Sequence, residues 1–265
     1  MIASSYYTLV HSMGSGAAAF DTDAQAFITA ASITNSTQQN AINQLVLDLK
    51  SYSLWTKMTA LYPFVGGNAT SHSFNLKNTS QFQLSFLGGW SHSSMGATPN
   101  GTDAYADTGL NPSTSLSLND NHLSYYSRTN NTYSAEDIGI RASSDTRVFD
   151  IEIYWFGNSY YENMAGFNAG ISRTDTRGLF LNTRTSSTGF SAYRNNTLNS
   201  IVQASVGLPN GNIFIGANNL VGTGYYHPTN RQTALISIGA GMSSTDVSNY
   251  NTAVTTYQTT LGRNV

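Results

Sequence analysis

Two carboxylates stand two residues apart in Asp150-Ile-Glu152-Ile-Tyr-Trp155. On a strand, residues i and i+2 share a face, so both acids would point the same way. Paired carboxylates are the equipment for cleaving a glycosidic bond, one as acid and the other as nucleophile or base. No third acid follows in this run, and the plainer expectation is a wet strand face carrying two solvated carboxylates. Other catalytic routes lack their residues. No Gly-x-Ser-x-Gly stands between a strand and a helix. Gly14-Ser-Gly16 lacks the lysine and the preceding strand of a phosphate loop. The chain has no cysteine, which removes thiol chemistry and cysteine-ligated zinc. His11, His72, His92, His122 and His227 are scattered, with no spacing that sets two imidazoles on one face. No catalytic residue is assigned, and the chain is read as non-enzymatic.

The aromatic residues offer a different chemistry. Tyr125-Tyr126, Tyr160-Tyr161 and Tyr225-Tyr226 are adjacent pairs, so on a strand one member buries and its neighbour is exposed. A tyrosine ring presents an apolar face and a hydroxyl, which suits stacking on a sugar or packing into a subunit interface. The candidate glycan contacts are therefore Trp155, Tyr160, Tyr161, Tyr225 and Tyr226. Ordinary strand packing is the plainer reading. Asp103, Asp107, Asp120 and Asn121 fall in expected loops, where hard oxygens suit calcium. They match no loop consensus, so no metal ligand or cofactor is assigned, and a structural calcium there stays an open alternative.

Charged residues make up 10% of the 265, against about 25% in an average soluble domain. Ser, Thr and Asn take their place, and the 40% hydrophobic fraction is enough for a packed core. Net charge is −2 with only Lys50, Lys57 and Lys77 as lysines, a poor match for a phosphate backbone, so no nucleic-acid partner is expected. No run approaches the roughly 18 apolar residues of a membrane span. The first residues lack the basic and apolar regions of a secretory signal.

The elements that would carry these residues fall into two groups. Up to about residue 65 the pattern is helical: a short helix over Asp23 to Ala31, then one capped by Ser36 with Gln39. Ile42, Leu45, Val46 and Leu49 follow at helical spacing. A third helical piece, Leu54 to Leu61, stops before Pro63 and Gly66-Gly67. From about residue 70 the period becomes two. Strands are expected over Ser73 to Leu76, Phe82 to Phe86, Leu123 to Arg128, Asp137 to Arg141, Val148 to Tyr154 and Gly178 to Thr183. Gly88 to Asn121 reads as a surface excursion. Ser243 with Asp246 caps a final helix whose stripe is Val247, Tyr250, Val254, Tyr257 and Leu261, ended by Gly262. That stripe needs a partner, and the N-terminal helices are the expected one. The division is a helical segment 1–66, for anchoring or docking, and a β unit 67–265.

Phe190 to Leu198, Asn212 to Ala217 and Thr233 to Asp246 come in an order that resembles the closing strands of the concanavalin-like, laminin-G-like jelly roll. The resemblance implies a mainly β, antiparallel sandwich. A wider set of landmarks is similar to a module of phage virion structural proteins. They are Ala26 to Ala31, Thr37 to Asn43, Leu54 to Met58, Val65-Gly-Gly67, Gly89-Trp-Ser-His92, Asn100 to Asp107, Leu123 to Thr129 and Tyr257 to Leu261. This resemblance implies a spike, fibre or decoration protein at the virion surface that contributes to host attachment. Its partners would be other virion proteins, further copies of itself and a host glycan. The resembling stretch starts near residue 1, so a stand-alone subunit is expected. Two rival readings remain, a secreted or surface carbohydrate-binding module and a glycan-cleaving enzyme using Asp150 and Glu152.

Overall fold

Residues 19–142 and 146–265 are described by the structure, a computed structural model. His11 and Gly14-Ser-Gly16 lie outside them. Period-two segments build two sheets around one apolar layer. The first sheet holds β1 (Met58–Tyr62), β3 (Trp90–Ser93), β4 (Gly96–Pro99), β6 (Asn121–Ser127), β11 (Gly178–Arg184), β12 (Phe190–Arg194), β13 (Thr197–Ile201) and β17 (Thr233–Gly239). Its spatial order is β13-β12-β11-β6-β17-β4-β3, with β1 also on β17. The second sheet holds β2 (Ser85–Leu87), β5 (Tyr105–Asp107), β7 (Ile138–Arg141), β8 (Val148–Trp155), β9 (Asn158–Ala165), β10 (Ile171–Ser172) and β14 (Phe214–Ile215). Its order is β10-β9-β8-β7-β14-β5-β2. A hairpin of β15 (Asn218–Leu220) and β16 (Gly224–Tyr226) branches from β7, with β15 parallel to it.

Between the sheets, Phe149, Ile151 and Ile153 of β8 meet Leu123 and Tyr125 of β6, Phe180 of β11 and Ile236 and Ile238 of β17. A second apolar cluster lies on the other side of the first sheet. Helices α1 (Thr22–Ala30), α2 (Ser36–Ser51) and α5 (Ser244–Thr260) cover it, with α3 (Ala69–Ser73) and α4 (Pro112–Ser115) in connections. Phe27, Ile42, Leu45 and Leu49 pack with Val247, Tyr250, Val254 and Tyr257 over Tyr126, Leu179, Leu181 and Leu235. The stripe of α5 thus finds the N-terminal helices, as expected. Its cap is the reciprocal Ser243–Asp246 box, and Gly262 at φ 65° ends it. The mainly β antiparallel sandwich expected from the sequence is the fold of the chain.

Several local expectations are corrected. Leu54 to Leu61 is not a helix. A single 3-10 turn at Trp55–Lys57 leads into β1, whose Ala60, Leu61 and Tyr62 pair with Ile238, Ser237 and Ile236. Sheet pairing outweighed a local helical pattern. The cap of α2 is Asn35, whose side chain accepts from the Gln38 amide; Ser36 is already inside the helix, and Gln39 Nε2 bonds the Ile33 carbonyl. Ser73 to Leu76 forms no strand, because Asn75 is buried and bonds across to the Leu61 amide and the Gln81 carbonyl. The stretch from Gly88 to Asn121 is no surface excursion. It supplies β3, β4 and β5, with Ala97, Ala104, Ala106 and Leu110 fully buried. Tyr125 and Tyr126 are both buried, since the helices cover the face that Tyr126 occupies.

Candidate functional site

The sequence contains three glutamates, Glu136, Glu152 and Glu162, and all three meet at one place. Strand alternation puts them there. With Phe149, Ile151 and Ile153 turned into the apolar layer, Asp150 and Glu152 point to the opposite face of the second sheet. Antiparallel register then sets Glu162 of β9 directly across from Asp150, and Tyr160 across from Glu152. On the other flank Asp150 faces Gly139 of β7. A Cβ at Gly139 would lie 2.1 Å from the Asp150 Cβ, so only glycine leaves room for this carboxylate. Asn218 of β15 pairs with Gly139 too, and its Nδ2 donates to Asp150 Oδ2 at 2.7 Å.

Glu136 enters from just before β7. Its amide donates to the His227 carbonyl at 3.0 Å. The next residue, Asp137, is clamped by Arg231, whose Nη1 lies 3.1 Å from both carboxylate oxygens, both side chains being fully buried. Asp137 Oδ2 also accepts from the Ile153 amide at 2.8 Å. This pair fixes the rim of the sheet where Glu136 turns inward.

Among the described residues one cation, Arg141, reaches three of the four acids. Arg141 Nη2 lies 3.1 Å from Glu136 Oε1, 3.3 Å from Glu152 Oε1 and 3.7 Å from Asp150 Oδ2. Burial, reinforced by the neighbouring Asp150, pushes Glu136 up to about 8. Burial with Asp150 and Glu136 pushes Glu152 up to about 9. Burial also raises Asp150, and it raises Glu162 well above the carboxylate range with Asp150 adding to the effect. One guanidinium is too little positive charge for four buried carboxylates, so protons are retained instead.

Over these groups lies a pocket of about 300 Å³ lined by Glu136, Arg141, Glu152, Trp155, Tyr160, Phe167 and Tyr226. The buried charged groups form its floor, and the rings form its walls. His227 is wedged between Trp155 and Tyr226, with ring centroids at 4.7 and 3.9 Å and near-perpendicular planes. The Arg141 guanidinium sits 4.5 Å from the Phe167 ring centre, a cation–π contact. Phe167 is 62% exposed and Tyr226 36%, so their faces are open to a ligand.

Of the five expected glycan contacts, Trp155, Tyr160 and Tyr226 come together here. Tyr225 points elsewhere, stacked on Tyr105 at 5.2 Å. Tyr161 is corrected: it is buried between the sheets, and its hydroxyl bonds the Tyr193 carbonyl. The expected wet face of β8 is corrected as well, since Asp150 is fully buried and Glu152 is 6% exposed. The third and fourth acids missing from the local run arrive from β9 and from the residue before Asp137. Arg141 and Phe167 were not singled out in the sequence, and His227 was named only among the scattered histidines. A signal did exist, because six of the 14 acidic residues fall between 136 and 162.

The loop acids do not assemble. Asp103 accepts from Asn100 and the Gly89 amide, Asp107 from the Gly109 amide, and Asp120 from the Gly241 amide, while Asn121 donates to the Ser117 carbonyl. His72 and His92 meet, Nδ1 to Nδ1 at 2.9 Å, but His122 is held apart by the Ala240 carbonyl and Ser237. No helix among the described residues is long and apolar enough to cross a membrane.

No family model and no curated protein matches the chain. Among solved structures it is similar to a mutant of Trypanosoma rangeli sialidase displaying trans-sialidase activity, at TM-score 0.56 and 7% identity over 83% of this chain. Trypanosoma rangeli sialidase itself matches at TM-score 0.52 and 9% identity over 80% of this chain. The chain spans 39% and 38% of the length of these two proteins. Domain 4 of an extracellular GH43 arabinanase from Geobacillus stearothermophilus, in complex with arabinotriose, matches at TM-score 0.49 and 13% identity, over 73% of this chain and 98% of that domain. At these identities the two sialidase likenesses speak to the β-sandwich fold alone.

Proposed function

We propose that this chain is a glycan-binding, non-enzymatic β-sandwich, working at a virion surface and using the pocket of Trp155, Tyr160, Phe167 and Tyr226 to hold a sugar. The observation that carries the reading is the pairing of open aromatic faces with a polar floor in one pocket of about 300 Å³. Sugars present apolar C–H faces and hydroxyl edges, and a site for them needs rings beside hydrogen-bonding groups. Glu136, Glu152 and Arg141 line the floor with groups that can hydrogen-bond to hydroxyls. The virion setting, with its partner proteins and self-association, rests on the sequence resemblance.

A glycan array with the purified protein tests the binding. Trp155→Ala and Tyr226→Ala should each lower affinity by about tenfold or more, given 1–2 kcal/mol for a lost aromatic contact. Both rings are partly exposed, so the fold should survive. A blank array, or binding that neither substitution weakens, overturns the site. Release of reducing sugar from a bound glycan, lost in Glu152→Gln, would replace binding by hydrolysis. Electron microscopy of particles carrying the chain tests the virion setting.

A further inference from the structure

We infer that the acidic cluster under the pocket is a calcium site built on Glu136, Asp150 and Glu152, with Glu162 and Asn218 beside them. Arg141 engages one oxygen each of Glu136, Glu152 and Asp150. With the acids ionised, Glu136 Oε2, Asp150 Oδ1 and both oxygens of Glu162 are buried and without a donor. Glu162 is fully buried across the strand pair from Asp150, and the two carboxyl groups are within hydrogen-bond reach, so they share a proton or a cation.

The amide of Asn218 adds an independent pointer. Its nitrogen is spent on Asp150 Oδ2, and its Oδ1 is a fifth buried oxygen with no donor. An amide oxygen takes up no proton near neutrality, so protonating the acids relieves it only if one of them turns its new hydrogen toward it. Glu136, Asp150 and Glu152 offer oxygens that all lie within 4.8 Å of one another. Calcium–oxygen distances of about 2.3–2.6 Å allow ligands across the ion to stand about 5 Å apart. Only oxygen donors are present, and carboxylates mixed with an amide in irregular array suit calcium better than the octahedral demand of magnesium. Asp150 and Asn218 are fixed from opposite strands across Gly139, so an ion would tie the β15–β16 hairpin, which carries Tyr226, to the body of the sheet.

The ion is tested on protein without sugar, so its outcome is separate from that of the glycan reading. Chelator-treated protein at neutral pH is titrated with calcium chloride by calorimetry, and thermal unfolding is followed with and without about 1 mM calcium, within the range of extracellular sites. One ion per chain and a higher midpoint are expected, with affinity at least tenfold weaker in Asp150→Asn and in Glu136→Gln. An unchanged midpoint and no binding heat with the unsubstituted chain overturn the inference. So does stoichiometric binding that both variants retain. If a variant fails to fold, terbium luminescence of the unsubstituted chain, with calcium competing for the signal, decides instead. Absence of a competable signal counts against the site.

Discussion

Raising the pH from 7 to 8 in the presence of a chelator should destabilise this protein, opposite to the behaviour of an ordinary carboxylate-rich fold. In the unfolded chain Glu136, Glu152 and Glu162 ionise near 4.5. In the folded chain Glu136 is pushed up to about 8, Glu152 to about 9, and Glu162 is raised as well, burial being the main cause each time. Below pH 4.5 both states hold the protons and nothing is lost. Above it the folded state keeps protons that the unfolded state has released, so stability falls as pH rises toward the folded values. Each retained proton contributes a slope of about 1.4 kcal/mol per pH unit. With one to two protons retained through this interval, the loss is about 1.4–2.7 kcal/mol. At about 2–4 °C per kcal/mol for a domain of this size, the midpoint drops by about 3–10 °C. Calorimetry or circular dichroism against pH measures it. Glu152→Gln removes one such proton and should flatten the slope by about 1.4 kcal/mol per pH unit. A midpoint that is flat or rising over this interval, or a Glu152→Gln profile parallel to the unsubstituted one, refutes this assignment. Histidines of the unfolded chain, near 6.5, still release about a quarter of a proton each above pH 7 and offset the loss by about 0.1 kcal/mol apiece.

Other perturbations test the frame around the pocket. Arg231→Met strands the buried Asp137 carboxylate and should cost about 3–5 kcal/mol, while pairing it with Asp137→Leu should recover much of that loss in denaturant titrations. Phe149→Ala opens a cavity between the sheets and should cost about 3–5 kcal/mol by the same assay. His122 is driven down to about 4, chiefly by burial, so the unfolded state binds its proton first and stability drains away as pH falls below about 6.5. His122→Gln lacks that titration, and its stability deficit at pH 6.5 should shrink by about 1.4 kcal/mol per pH unit toward pH 4.5. A deficit that stays constant would show that His122 does not stay neutral in the folded state.

Much of this architecture was legible in the residues alone. The alternation Phe149-Asp150-Ile151-Glu152-Ile153 names a strand and says which side chains share a face, because a pleat leaves no other arrangement. The Ser243–Asp246 cap and the stripe from Val247 to Tyr257 likewise name the last helix, its start and the need for an apolar partner. Local patterns of this kind depend on neighbours a few residues away. Alternation likewise says that one of Tyr160 and Tyr161 faces outward, though not which one.

What covers each face depends on residues far apart in the chain. Asp150 and Glu152 looked wet because their strand, taken alone, has a polar side. The register with β9 brought Glu162 against Asp150, the close approach over Gly139 brought Asn218, and the turn at His227 brought Glu136, turning that polar side into an interior. Tyr126 was buried by helices from both ends of the chain, and Tyr161 fell on the inner face. The charge state of an acid follows from the water and charge within a few ångströms of it. Here those neighbours lie 10 to 70 residues away in the chain, so only folding could supply them.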